Sequence, residues 1–207
     1  MSFGSRDGSV TPDSRRDVGR GTLHEMAAIA ALVAAFAFGA ADQYLGSFSA
    51  IPWAADVSLL SAPWLVLAFL AGCTQRDPRR GAVLGFACTA SALVGYGLMT
   101  LSPVENAQLT VTTATGFMYS ESPVLVGGIF TGPLYGWLGS RWRTDRTWPA
   151  AVAAAGALCL EPLARKYAGR AIRFRTVWMA EVTVGLAMLA YAAAASRSAY
   201  ARARRNG

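Results

Sequence analysis

Six apolar runs, each about 17 to 21 residues long, alternate with short polar segments, near 23–42, 57–74, 81–101, 121–140, 148–164 and 177–195. A run of this length covers a hydrocarbon core of about 30 Å at about 1.5 Å per residue. The pattern therefore predicts an all-α fold, a polytopic membrane bundle of six transmembrane helices over 23–196. Residues 1–22, rich in Gly, Ser, Asp and Arg, carry no hydrophobic pattern and are expected to form a disordered cytoplasmic tail. Residues 197–207 form a second, basic cytoplasmic tail. The first run ends at Asp42-Gln43-Tyr44 without a small-residue cleavage pattern, so it reads as a retained span and not as a signal peptide. Neither an internal repeat nor a second domain is visible.

Composition agrees with this reading. Of 207 residues, 54% are hydrophobic and 15% charged, against roughly a quarter charged in an ordinary soluble domain. The net charge of +7 raises the question of a nucleic-acid partner, and the positions of the charges decide it. All but five of the 19 Lys and Arg fall in the polar segments 6–20, 76–80, 141–146 and 197–205. Basic residues placed this way mark cytoplasmic loops. With no zinc-finger, helix-turn-helix or RNA-recognition signature beside them, no nucleic-acid partner is expected. Both termini and the loops 75–80 and 141–147 are then cytoplasmic, and the Lys- and Arg-free loops 43–56 and 102–120 lie outside. The expected location is the cell membrane, multi-pass, with lipid as a partner; the sequence leaves the oligomeric state open.

Five basic residues depart from the rule. Arg165, Lys166, Arg170, Arg173 and Arg175 fall between the fifth and sixth runs, which this topology puts outside. Either the segment 148–164, ending in Glu161-Pro162, re-enters without crossing, or the charges meet phospholipid headgroups, nearby carboxylates or an anionic ligand. Gly128, Gly132 and Gly136, one helical turn apart, and the small-residue stretch 150–157 are read as packing faces.

Much chemistry is excluded by what the chain lacks. Cys73, Cys88 and Cys159 lie on separate runs, and His24 is the single histidine. A histidine-rich metal centre cannot be assembled from this set, and no metal or cofactor is expected. There is no phosphate-binding loop, no dinucleotide fingerprint and no GxSxG elbow. Aspartate-rich repeats that would hold magnesium around a diphosphate are also missing.

The 12 carboxylates divide evenly between the two sides. Asp42, Asp56, Glu105, Glu121, Glu161 and Glu181 map to the outer loops or outer halves of the runs. Ionisable groups at membrane depth are functional candidates by default, and Glu181, Glu161 and Asp42, in that order, are the candidate acids. Structural pairing is the competing expectation, with Glu161 four residues before Arg165 on one helical face and Glu181 within reach of Arg175 or Lys166. Aromatic residues gather on the same side. Trp53, Phe117 and Phe174 suit an interfacial belt, whereas Trp64, Tyr96, Tyr119 and Trp178, with Glu121, are candidates for lining a substrate cavity.

A carboxyl buried among apolar groups keeps its proton, because the charged form loses its hydration. It can then protonate an alkene or epoxide; aromatic faces stabilise the carbocation, and a second carboxylate or water removes a proton to end the reaction. This set supports metal-free proton chemistry on a hydrophobic prenylated small molecule delivered through the membrane.

The segments Ala41-Asp42-Gln43-Tyr44-Leu45-Gly46, Ser61-Ala62-Pro63-Trp64-Leu65, Gly95-Tyr96-Gly97, Gly132-Pro133-Leu134-Tyr135-Gly136 and Leu160-Glu161-Pro162 resemble a family of small actinobacterial six-span membrane proteins. Size, span count and acid-plus-aromatic content are similar to the bacterial membrane-bound terpene cyclases of indole-sesquiterpenoid biosynthesis, although the Asn and Trp-Glu pattern of fungal membrane cyclases is not evident. The resemblance implies an isomerase of terpenoid biosynthesis that cyclises a farnesyl-type substrate through a carbocation. Two alternatives stay open. One is a substrate-capture subunit of a vitamin-type transporter, for which Ala27, Ala31 and Ala35 offer a docking spacing and the outer basic residues suit an anionic vitamin. The other is a membrane protein without chemistry.

Overall fold

The structure, a computed structural model, describes residues 12–48, 50–146, 148–169 and 173–205, with side chains described between 25 and 197. Residues 1–11 and 206–207 of the two expected tails, the side chain of His24, and Arg170 of the basic cluster lie outside the described residues. Every regular element among those described is helical: α1 (Pro12–Ser47), α2 (Pro52–Ser58), α3 (Ala62–Cys73), α4 (Pro78–Thr100), a 3₁₀ turn (Pro103–Glu105), α5 (Val111–Ser120), α6 (Ser122–Asp145), α7 (Trp148–Tyr167) and α8 (Arg175–Arg205). The tail expected over 1–22 is helical from Pro12 onward, and the C-terminal segment continues α8 to Arg205.

Proline sets several of the starts. Pro52, Pro63, Pro78 and Pro123 occupy the first turns of α2, α3, α4 and α6, where the missing N–H has no intrahelical partner to lose. The run expected as one span over 57–74 is accordingly broken: α2 and α3 meet at a bend of 52°. Three helical segments are long and apolar enough to cross a membrane, Glu25–Ser47, Pro78–Thr100 and Arg175–Arg197, and four if the bent pair counts as one. The other two expected spans, α6 and α7, fall short of that apolarity. Glycines, prolines and hydroxyl residues dilute α6, and Glu161, Arg165 and Lys166 lie within α7.

The distribution of side chains is that of a membrane protein. Ile29, Val33 and Phe36 on α1, Val83 and Val94 on α4, and Leu186 and Tyr191 on α8 are exposed, while small residues, alanine above all, make up most of the interior. One core cluster joins Ala35, Ala71, Leu84, Cys88 and Ala92; another joins Phe69, Trp142, Ala150, Ala151, Ala154 and Ala192. In water this arrangement would expose the groups that most need burial. In lipid, small residues inside let the helix backbones approach closely.

Helix α4 is central, packing against α1, α3 and α6, while α7 and α8 pair and join the rest through α2, α3 and α6. The glycine face of α6 meets Gly81 and Gly85 of α4. A Cβ on Gly136 would collide with the carbonyl oxygen of Gly81, and one on Gly85 would fall 2.7 Å from the Gly136 Cα. Gly136→Val is expected to destabilise the fold by about 1 to 3 kcal/mol through overpacking, read as a lowered melting temperature in detergent. Unchanged melting would contradict this helix contact.

The basic loops share one end of the bundle. Arg143 donates to the Cys73 carbonyl at 2.8 Å and the Thr144 hydroxyl to the Arg76 carbonyl at 3.1 Å. The last turn of α6 is thereby tied to the end of α3 and the α3–α4 connection.

Candidate functional site

At the other end of the bundle lies a cavity of about 470 Å³, within the usual range of small-molecule sites, about 300 to 1,000 Å³. Asp42, Trp64, Tyr96, Phe117, Glu121 and Arg165 line it together with apolar side chains. These residues come from six places in the chain. Asp42 lies near the end of α1, Trp64 in the first turn of α3, Tyr96 in the last turns of α4, and Glu121 at the α5–α6 junction. Close backbone approach sets the α1–α4 part of this arrangement: a Cβ on Gly39 would collide with the Ala92 carbonyl, and one on Gly95 with the Phe36 carbonyl. Asp42 and Tyr96 follow these two contact glycines in sequence and so reach the same level.

The aromatic residues form a continuous series. Phe38 meets Trp64 edge-on at 5.4 Å between ring centroids, Trp64 meets Tyr96 at 6.1 Å, and Tyr96 meets Phe117 at 6.1 Å. These separations lie in the range of favourable aromatic pairs, about 4.5 to 7 Å. Asp42 is 8% exposed and shares the cavity wall with Trp64. A carboxyl thus sits beside a series of ring faces in a largely apolar enclosure.

Glu161 has a different setting. From α7 its carboxylate accepts the backbone N–H of Ser61 at 2.6 Å, the N–H of Ala62, and the Arg165 Nε at 2.7 Å. The Arg165 guanidinium also donates to the Ser61 hydroxyl at 3.1 Å. The i,i+4 pair expected from spacing is present, and it does more than join neighbours on one helix. It caps the N-terminus of α3, whose first N–H groups have no intrahelical acceptor and whose dipole favours an anion there. Asp56 acts similarly from α2, accepting the Phe174 N–H at 2.6 Å at the start of α8. Nothing in the sequence marks either long-range cap, since each joins residues about a hundred positions apart.

The remaining expected site residues are dispersed. Glu181 is 5% exposed on α8 and lines a second cavity. Tyr119 is 85% exposed and Trp178 lies under the Arg175 guanidinium, 5.8 Å from its ring; neither lines the cavity of Asp42. Phe117, assigned from sequence to an interfacial belt, stands in the cavity wall. Its position follows from α5, which starts in a reciprocal Thr110–Thr113 capping box inside what the sequence reads as an open loop. Of the described residues of the basic cluster over 165–175, Arg165 alone lines this cavity; Arg173 and Arg175 lie over Phe174 and Trp178. Among the described residues no three His, Cys, Asp or Glu side chains converge on a metal-sized site.

Comparison with family models, curated proteins and solved structures finds no match to this chain. What stands, among the described residues, is an all-helical fold with three to four helices long and apolar enough to cross a membrane and an acid-and-aromatic cavity at one end.

Proposed function

We propose that the chain is a six-span integral membrane cyclase that folds a farnesyl-type prenylated substrate in the Asp42 cavity and closes it by metal-free, proton-initiated chemistry. The observation that carries the reading is the presence of the Asp42 carboxyl and the Trp64, Tyr96 and Phe117 rings in one cavity. Asp42 gives its proton to a terminal alkene or epoxide. The π electrons of a neighbouring double bond then form the new carbon–carbon bond and leave a carbocation, which the ring faces stabilise. Glu121, on the same cavity wall, takes a proton from the adjacent carbon, so that the product is an isomer of the substrate. Glu161 is left out of this chemistry because three donors hold it at the start of α3.

Two spans beyond the apolar set are α6 and α7. Their 24 and 20 residues correspond to about 36 and 30 Å, and both turn apolar side chains outward, Ile129, Phe130 and Leu134 on α6 and Leu160 and Leu163 on α7. Even span number puts both termini with the basic loops, on the cytoplasmic side. The transporter-subunit reading is weaker, because Ala35 of its Ala27, Ala31, Ala35 spacing is fully buried against α4 and so unavailable to a docking partner.

The test is to incubate membranes containing the protein with a farnesylated indole, or its farnesyl epoxide, and to seek a cyclic product of unchanged mass by mass spectrometry and NMR. Conversion is expected. No conversion across a panel of prenylated aromatics, in protein that remains folded, would overturn the reading.

A further inference from the structure

The protein uses only part of the Arg165 guanidinium. Its Nε donates to Glu161 at 2.7 Å and its Nη2 to the Ser61 hydroxyl at 3.1 Å, while Nη1 meets no acceptor among the described residues. A guanidinium carries five N–H donors in a planar fork, so most of the fork is unspent. It is not sealed in either. Arg165 lines the Asp42 cavity, and among the described residues the fully buried side-chain polar atoms without a partner are the two Glu181 oxygens, none of them on Arg165. Nη1 is therefore open to the space beside it.

Other donors on the same wall are taken. The Ser58, Thr89 and Thr131 hydroxyls donate to the Ala55, Gly85 and Gly127 carbonyls of their own helices at 2.9 to 3.0 Å. What Arg165 has left to offer is hydrogen-bond donors rather than charge, because the Glu161 carboxylate already touches the guanidinium and the pair together is neutral. An anionic head entering here would give up its hydration and face that carboxylate. A neutral oxygen meets neither cost: it accepts an N–H and leaves the ion pair as it stands.

Ser61 stands three residues, about one turn, before Trp64 at the start of α3, so its partner Arg165 is placed near the rings that wall the cavity. We propose that Arg165 is a specificity-determining residue of this cavity, selecting ligands whose apolar chain ends in a neutral acceptor oxygen such as a ketone. The oxygen takes the unspent guanidinium N–H groups, and the chain lies against Trp64, Leu65, Leu93 and Phe117, where apolar area is removed from water. The prenyl character of the chain rests on the cyclase reading. The oxygen does not, and a cavity that binds the ketone without cyclising anything would fail that reading and keep this one.

The probe is farnesylacetone, a farnesyl chain ending in a ketone, added to the full chain in nanodiscs of uncharged lipid. Its controls are the hydrocarbon in which the carbonyl is replaced by CH₂, and farnesoate, which ends in a carboxylate. The readout is the rise in melting temperature against mole fraction of ligand in the bilayer. The ketone is expected to act saturably, with a half-saturating mole fraction at least about tenfold below those of both controls, as a hydrogen bond from a charged donor implies. Arg165→Lys keeps a cation for Glu161 but not the planar fork; it is expected to fold and to bring ketone and hydrocarbon to the same half-saturation. A purely structural Arg165 would instead shift both ligands alike. Equal binding of ketone and hydrocarbon to the wild type, tighter binding of farnesoate than of the ketone, or an unchanged ketone preference in Arg165→Lys would each overturn the proposal, and the first two need no variant.

Discussion

Asp42→Asn is expected to abolish cyclisation while leaving the bundle folded. The amide keeps the size and shape of the carboxyl but has no acidic proton to give. General acids contribute about 10²- to 10⁴-fold to rate, and loss of the initiating proton is expected to cost an amount in that range. Product formation per folded protein measures it, with the melting temperature alongside to separate lost chemistry from lost structure. A variant with wild-type turnover would remove Asp42 from the mechanism. Should Glu181→Gln alone abolish turnover, the acid would belong to the second cavity.

The largest effect on stability is expected at Glu161→Ala. That substitution strips three donors at once, the Ser61 and Ala62 N–H groups and the Arg165 guanidinium, and the Arg165 side chain is only 16% exposed. Removing one partner of a buried ion pair costs about 3 to 5 kcal/mol, and the uncapped start of α3 adds to it. Glu161→Gln, which keeps acceptor oxygen but no charge, should lose less. Thermal unfolding of both variants in the same detergent reads the difference, and equal melting of wild type and Glu161→Ala would contradict the capping role. Because α3 carries Trp64 two residues beyond Ala62, the alanine variant should also disturb the aromatic series and lower turnover indirectly.

The sequence made the class of fold legible because span-length apolar runs register directly as long helices: α1, α4 and α8 appear where the runs predict them. The second run misled because Leu59, Leu60 and Ser61 are compatible with a continuous apolar helix. The break depends on Pro63 and on a carboxylate arriving from α7, and only the proline is local. For α6 and α7, helix existence was legible while span character was not, since Gly128, Gly132 and Gly136 lower the apolarity of α6 in the same act that packs it against α4. Within the site, Asp42, Trp64, Tyr96 and Glu121 were readable as one-sided polar and aromatic residues, and the structure brings those four together. Phe117 was missed because its helix lies in the segment 102–120, which carries no span-length apolar run. Glu181, ranked first among the candidate acids, is deeply buried. The direction it faces around α8 depends on packing against α7, which the flanking residues do not encode.

The central claim is that a solvent-exchangeable proton on Asp42 starts the reaction. The most direct measurement is paired incubation of wild type and Asp42→Asn with a farnesylated indole in deuterated buffer. The account predicts a wild-type product carrying one solvent deuterium at the protonated alkene carbon, and almost no product from the variant. A cyclic product without carbon-bound deuterium, or deuterated product from Asp42→Asn at the wild-type rate, would contradict it.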